Sequence, residues 1–316
     1  MIVHLNGALI PAADAKLSVF DRGFIMGDSV YEGLRTFSGR VVAIERHVVR
    51  MRAALKETRL PWDPTQLDRL SDSLMAANAM PDAFVYWQIS RGVPLPGQPV
   101  RSRIPAAPIP PTVFGYCTPQ PPMATFEEGP PTVSAAICRD TRWERGHLKS
   151  CSLMGNVVAS YEAAEMGAQD VVFVRNGYVA EASASNVIIA VPGPDGRTEI
   201  ATPSLDSVSI LGGITRAQLV DEFPEIVSRK VRVEELPRAS EVLICGSTAM
   251  VTSVTRLDGR LVGNGRPGPV AERLMAGLVR VIKRDLRLDA PPAGQIKVAP
   301  VARDMLSRCT TPQAVA

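Results

Sequence analysis

Residues 142–153 read Arg142-Trp143-Glu144-Arg145-Gly146-His147-Leu148-Lys149-Ser150-Cys151-Ser152-Leu153, one lysine in small, semi-apolar surroundings at the start of a helical segment. Such surroundings partly desolvate an amine and lower its pKa, as a lysine needs if it is to attack a carbonyl carbon. Working outward, Glu181 follows what reads as a strand, and Gly212-Gly213-Ile214-Thr215-Arg216 opens a helix. A glycine-opened helix start presents backbone N–H groups, here with the Thr215 hydroxyl, to an incoming phosphate. Taken singly, Lys149 reads as a solvated lysine, Glu181 as a strand-end carboxylate and Thr215 as a cap. An amine, a carboxylate and an anion cradle in this order argue for a single site.

The flanking chain alternates strands and helices. Short strands are expected over 2–12 and 30–45, broken by a turn at Ser38-Gly39-Arg40. Val48, Met51 and Leu55 recur at helical spacing over 45–58, and a second helix is expected over 63–78. The run from Ala83 to Ser90 reads as a strand, closed by Arg91. Residues 94–111 are proline-rich, carry Arg101 and Arg103, and read as a long loop before a strand at 113–116. Five prolines in 118–131 mark a linker, which divides the chain into a smaller α/β domain (1–117) and a larger one (132–288).

In the second half a strand is expected over 132–138. A helix follows over 153–166, with Leu153, Val157, Tyr161 and Ala164 on its apolar face. Asn176-Gly177, between Val171–Val174 and Tyr178–Ala180, is the strongest hairpin signal in the chain. Further strands are expected over 185–191 and 241–245, with a turn over 192–196, a helix over 213–223 and a last helix over 270–286. The tail, 289–316, meets Pro291 and Pro292 almost at once and shows no clear period.

Composition narrows the function classes. The 316 residues are 46% hydrophobic and 21% charged, an ordinary globular balance. A net charge of +3 is too mild to imply nucleic acid, and the basic run from Arg280 to Arg287 reads as the solvated face of a helix. No apolar run approaches the ~20 residues of a membrane span. The N-terminus lacks the basic and apolar regions of a signal peptide. Five scattered cysteines without a CxxC pair fit a reducing compartment, so a cytoplasmic location is expected. Three histidines without an HxxxH spacing argue against a metal site.

Further motifs extend the pattern. Phe20-Asp21-Arg22-Gly23 is followed by Gly27-Asp28-Ser29-Val30-Tyr31-Glu32-Gly33, then by His47-Val48-Val49-Arg50, Arg142-Trp143 and Lys149. Glu181-Ala182-Ser183-Ala184-Ser185-Asn186, Thr202-Pro203, Gly213-Ile214-Thr215-Arg216 and Gly246-Ser247-Thr248-Ala249 complete it. With these motifs the chain resembles the class IV, fold-type IV, pyridoxal-phosphate aminotransferases over about residues 2–287. That family holds D-amino acid, branched-chain and (R)-selective amine transaminases together with aminodeoxychorismate lyase. The resemblance implies an α/β (α+β) fold of two domains with pyridoxal 5′-phosphate at their interface. It implies that Lys149 forms the Schiff base and shuttles a proton, and that Glu181 pairs with the pyridine nitrogen. Arg50, Ile214, Thr215, Ser247 and Thr248 would hold the phosphate, and Tyr31 would line the substrate side. It also implies ping-pong exchange between an amino donor and a 2-oxo acid, in a homodimer whose neighbouring subunit lends a loop to each pocket.

Within the family two sets of residues diverge. Arg142-Trp143-Glu144-Arg145, Leu148-Lys149-Ser150 and Ile89-Ser90-Arg91-Gly92 look like D-amino acid transaminases, whereas Tyr31-Glu32-Gly33-Leu34-Arg35 looks like branched-chain enzymes. The Arg-x-His carboxylate trap common in the former is replaced by Pro96 and Gln98, leaving Arg101 or Arg103 to supply a guanidinium. Without such a trap, an (R)-amine donor lacking a carboxylate is the alternative. Aminodeoxychorismate lyases tend to read Phe-Thr-Thr where this chain has Tyr31-Glu32-Gly33. A D-amino acid donor is the leading expectation. A cofactor-binding protein without turnover would need neither Lys149 nor Glu181.

Overall fold

The computed structural model describes residues 1–193 and 196–288; the expected tail, 289–316, and two residues of the expected turn at 192–196 lie outside them. The first half comprises β1 (Ile2–Leu5), β2 (Ala8–Pro11), α1 (Arg22–Met26), β3 (Ser29–Phe37), β4 (Arg40–Val41), α2 (Ile44–Thr58), α3 (Leu67–Asn78), β5 (Ala83–Ser90) and β6 (Thr112–Pro119). Its six strands lie in the order β2-β1-β6-β5-β3-β4, and every pair is antiparallel. Strand β5 alternates: Ala83, Val85, Trp87 and Ile89 are fully buried, while Phe84, Tyr86 and Gln88 are half-buried. Helices α2 and α3 cover the buried face with Met51, Leu55, Leu74 and Met75. Burying side chains of this size contributes roughly 1.5–3 kcal/mol each.

The second half holds α4 (Met123–Glu127), β7 (Thr132–Arg139), α5 (Met154–Glu165), β8 (Asp170–Arg175), β9 (Tyr178–Ala182), β10 (Asn186–Pro192), β11 (Thr198–Pro203), α6 (Ile214–Glu222), β12 (Ile226–Arg229), β13 (Glu241–Gly246), β14 (Met250–Leu257), β15 (Arg260–Leu261) and α7 (Pro269–Leu286). Eight of its strands run β12-β11-β10-β13-β14-β7-β8-β9, with β15 on β14. The sheet is mixed: β7–β8, β7–β14 and β11–β12 are parallel. Helix α7 packs Leu274, Leu278 and Ile282 into the core below α6. The Glu241 carboxylate accepts the N–H groups of Val270 and Ala271 at 2.8 Å each, so a distant strand caps the start of α7.

One segment is more regular than its prolines imply, and one expectation needs correction. The segment 118–131 contains α4, whose Met123 and Phe126 are buried; Phe126 meets Phe37 edge-on, and the Arg35 guanidinium lies over both rings. The larger apolar residues of α5 do not face the core: Tyr161 is 70% and Met154 73% exposed, while Ala159 and Ala163 are buried. The alanine stripe lets the helix approach Ala136, Val171 and Phe173 closely, so the larger residues point away from the sheet.

Candidate active site

A cavity of about 610 Å³ lies between the two sheets. Tyr31, Gly33 and Phe84 line it from the first sheet; Lys149, Glu181, Gly213, Ser247 and Thr248 line it from the second half. Lys149 does not start a helix, as the sequence suggested. It stands on a segment laid against β3: Tyr31 N–H donates to Lys149 O (2.9 Å), Cys151 N–H donates to Ser29 O (3.2 Å), and Val30 bridges Ser150. The lysine is thus fixed by backbone to the first sheet, with Nζ 4.2 Å from the centre of the Tyr31 ring.

Burial lowers the pKa of Lys149 to about 8, assisted by the Arg50 charge and opposed by Glu32 and Glu181. A neutral amine is therefore accessible near neutrality. The Tyr31 hydroxyl is pushed up to about 12, first by burial and then by Cys151 and Glu32, so it stays protonated. Behind the lysine, Glu32 is 1% exposed in the middle of β3. Burial alone would raise its pKa, yet Arg50's charge and the hydrogen bonds from Arg50 and His47 hold it at about 2. Arg50 grips Glu32 with Nε at 2.8 Å and Nη2 at 2.6 Å, and His47 Nδ1 lies 2.7 Å away. Arg50 Nη1 also donates to Gly212 O (3.1 Å), tying α2 to the loop before α6.

Glu181 lies within β9 and is 7% exposed. Its Oε1 accepts from Arg142 Nη1 (2.9 Å) and its Oε2 from Leu211 N–H (3.1 Å). Burial raises its pKa against Arg142, the Leu211 N–H and Lys149, which favour the carboxylate. Asn186 pairs with Glu181 across β9 and β10, and its side chain donates to Leu211 O (2.9 Å). A Cβ on Gly213 would sit 1.9 Å from Asn186 Oδ1, so the glycine is what lets α6 start so close to this strand. Helix α6 then opens with Ile214 and Thr215 buried, and its first N–H groups have no intrahelical partner.

Lys149, Glu181, Arg50, Ile214, Ser247, Thr248 and Tyr31 all line the cavity. Thr215 is buried in the first turn and lines a small neighbouring void instead. Arg101 and Arg103, taken from the sequence as carboxylate binders, do not line the cavity of their own chain; both are exposed on the proline-rich loop. The loop is held there because Arg22, 2% exposed, donates to Ser102 O (2.5 Å), Arg103 O (3.2 Å) and Asp28 Oδ2 (2.8 Å). Sequence reasoning assigned no role to Arg142, Glu32 or Asn186. Only Glu32 carried a signal, a charge inside an apolar strand, which requires a buried partner.

A neutral-capable lysine, a buried carboxylate and an open helix start around one cavity fit pyridoxal phosphate by the chemistry of their donors. The amino-transferase class IV family model matches residues 29–257, and the chain belongs to that family. It is a pyridoxal-phosphate-dependent aminotransferase. The D-alanine aminotransferase of Bacillus licheniformis is 31% identical over 285 residues, 88% of this chain and 96% of that protein. That of Staphylococcus haemolyticus is 31% identical over 289 residues, 89% of this chain and 98% of that protein. The branched-chain amino acid aminotransferase of Escherichia coli shares the fold with a TM-score of 0.77 at 23% identity, covering 89% of this chain and 94% of that one. A hypothetical aminotransferase from Mycobacterium tuberculosis, in its PLP-bound form, superposes with a TM-score of 0.73 at 24% identity, covering 90% of this chain and 100% of that one. Among the described residues, no helix is long and apolar enough to cross a membrane.

Proposed function

We propose that the protein transfers an amino group from a D-amino acid to a 2-oxo acid in two half-reactions at one site. The observation that carries the donor class is the near-full-length 31% identity to D-alanine aminotransferases. The branched-chain structures, at 22–24% identity, speak to the fold alone.

Pyridoxal phosphate, when bound, supplies an aldehyde that takes up amino groups and a ring that withdraws electrons from the neighbouring bonds. Lys149 would hold the cofactor's aldehyde end through its amine and, as a free amine, would move a proton at the donor's α carbon. Glu181 would pair with the ring nitrogen and favour its protonated form. Arg50, Ser247, Thr248 and the α6 start at Ile214 and Thr215 would hold the phosphate, and the Tyr31 ring would line the donor side.

A homodimer belongs to the same proposal. It is supported by the large apolar residues left exposed on α5 and α1: Met154 (73%), Tyr161 (70%) and Phe24 (74%). In the dimer the loop of residues 94–111 completes the neighbouring copy's cavity, and Arg101 or Arg103 receives the donor carboxylate.

One observation favours a second reading, a donor lacking a carboxylate. Arg50 and Arg142, the arginines lining the cavity, are already bound to Glu32 and to Asp140 and Glu181. Assays with 2-oxoglutarate and D-alanine, L-leucine or (R)-1-phenylethylamine separate the readings. Turnover with D-alanine alone supports the proposal, while turnover with L-leucine alone would assign the branched-chain class. Turnover with the amine would make a carboxylate-binding arginine dispensable. Release of pyruvate from aminodeoxychorismate without any acceptor would assign the lyase.

A further inference from the structure

Beyond Glu181 the site continues as a row of alternating charges, Arg175–Asp140–Arg142–Glu181, its carboxylates buried and its arginines half-buried, across the ends of the adjacent strands β7, β8 and β9. Arg142 clasps Asp140 with Nε at 2.9 Å and Nη2 at 3.1 Å, and gives only Nη1 to Glu181. The Asp140 side chain is 0% exposed, and its Oδ2 is also paired with Arg175 Nη2 at 3.0 Å. The same Arg175 guanidinium donates to Arg142 O (3.0 Å), bracing the turn that carries Arg142. The Arg142 side chain has little room to move: its guanidinium lies 4.0 Å over the Phe173 ring, and a Cβ on Gly155 would meet its Cγ at 2.8 Å. Arg175 and Asp140 do not line the cavity.

The geometry points to Asp140 and Arg175 as positioning residues that set, through Arg142, how much positive charge Glu181 feels and therefore how firmly it holds a ring nitrogen in the cavity. This rests on Glu181 being the partner of that nitrogen. An arginine devoted wholly to Glu181 would neutralise it and make it a poor proton acceptor. Sharing Arg142 with a second carboxylate divides that charge, and Arg175 keeps Asp140 from claiming all of it. The other groups facing Glu181 are Lys149, Tyr31 and the Leu211 N–H; none of these touches Asp140 or Arg175. Two substitutions should thus act in opposite directions. Asp140→Asn releases Arg142 to Glu181 and weakens the hold on the nitrogen. Arg175→Gln strengthens Asp140's claim on Arg142 and tightens it.

The test compares how tightly the full-length apo-protein binds pyridoxal phosphate and its 1-deaza analogue, which lacks the ring nitrogen. General damage to the site changes both affinities alike, so their ratio isolates the contact. Relative to wild type the ratio is expected to fall about threefold or more in Asp140→Asn and to rise by a similar factor in Arg175→Gln. Arg175→Lys, which keeps the charge if Asp140→Asn fails to fold, should restore the wild-type ratio. In an Arg142→Met background, Arg175→Gln should lose its effect. Ratios that stay unchanged or move together, or an Arg175→Gln effect that persists without Arg142, would overturn the relay. A wild-type ratio of one would remove Glu181 from ring recognition, and the relay with it. A wild-type chain that binds neither compound would instead defeat the proposed function.

Discussion

Arg142 stands 2.9 Å from Glu181 while its other two nitrogens are committed to Asp140, so the carboxylate facing the cavity is paired but not neutralised outright. A buried carboxylate without such a partner would take up a proton. Replacing Glu181 by Gln keeps one acceptor oxygen, enough for the Leu211 N–H, but sets an NH2 donor against Arg142 and removes the negative charge. Turnover is expected to fall about a hundredfold or more while the fold persists. Steady-state rates at wild-type level in Glu181→Gln would take this residue out of the mechanism.

Lys149 has a measurable cost in the apo-protein. Its pKa is lowered from 10.5 to about 8. Below pH 8 the folded chain carries the buried ammonium at full penalty. Between pH 8 and 10.5 the folded state has released the proton and the unfolded state has not, so stability rises with pH. Lys149→Met should abolish turnover yet stabilise the apo-protein at pH 7 by on the order of 3 kcal/mol, and should flatten the rise above pH 8. Urea midpoints across pH 7–10 read both effects.

Glu32 has the opposite sign. Held at about 2 against 4.5 when unfolded, it contributes stability above pH 4.5 that is lost as the pH falls toward 2. Glu32→Gln should lack that component of acid sensitivity. It should be less stable at pH 7 by roughly 3 kcal/mol, because Arg50 and His47 keep their burial without a counter-charge. A variant as stable as wild type at pH 7 would mean that the three groups do not act as one unit.

At the phosphate end, Gly213→Ala puts a methyl group 1.9 Å from Asn186 Oδ1 and must displace either the helix start or the Asn186–Leu211 bond. Affinity for pyridoxal phosphate is expected to drop about tenfold, while affinity for pyridoxal, which carries no phosphate, changes little. Equal losses for both ligands would place the damage elsewhere in the cavity.

What the sequence revealed is what short stretches encode. Asn176 and Gly177 adopt φ of +53° and +81°, the geometry that makes this dipeptide a hairpin signal. Strand β5 runs from Ala83 to Ser90 as its apolar alternation indicates, and α2 follows its helical spacing. The cavity residues Lys149, Glu181 and Gly213 were legible because each stands beside such a local signal. Their partners were not: Glu32 lies 18 residues from Arg50 and Arg142 lies 39 from Glu181, separations at which only the folded sheet decides who meets. The apolar period of α5 was visible, but not that two alanines, rather than Val157 and Tyr161, would meet the sheet. Strands β11, β12 and β14 escaped notice because their pairing partners, not their own patterns, define them.

The measurement that bears most directly on Lys149 is chemical trapping. The apo-protein is loaded with pyridoxal phosphate, reduced with borohydride and digested, and the modified peptide is identified by mass. A single phosphopyridoxyl group on Lys149, absent from Lys149→Met, is the expected result. A label on any other lysine, or none, would contradict the reading of this cavity.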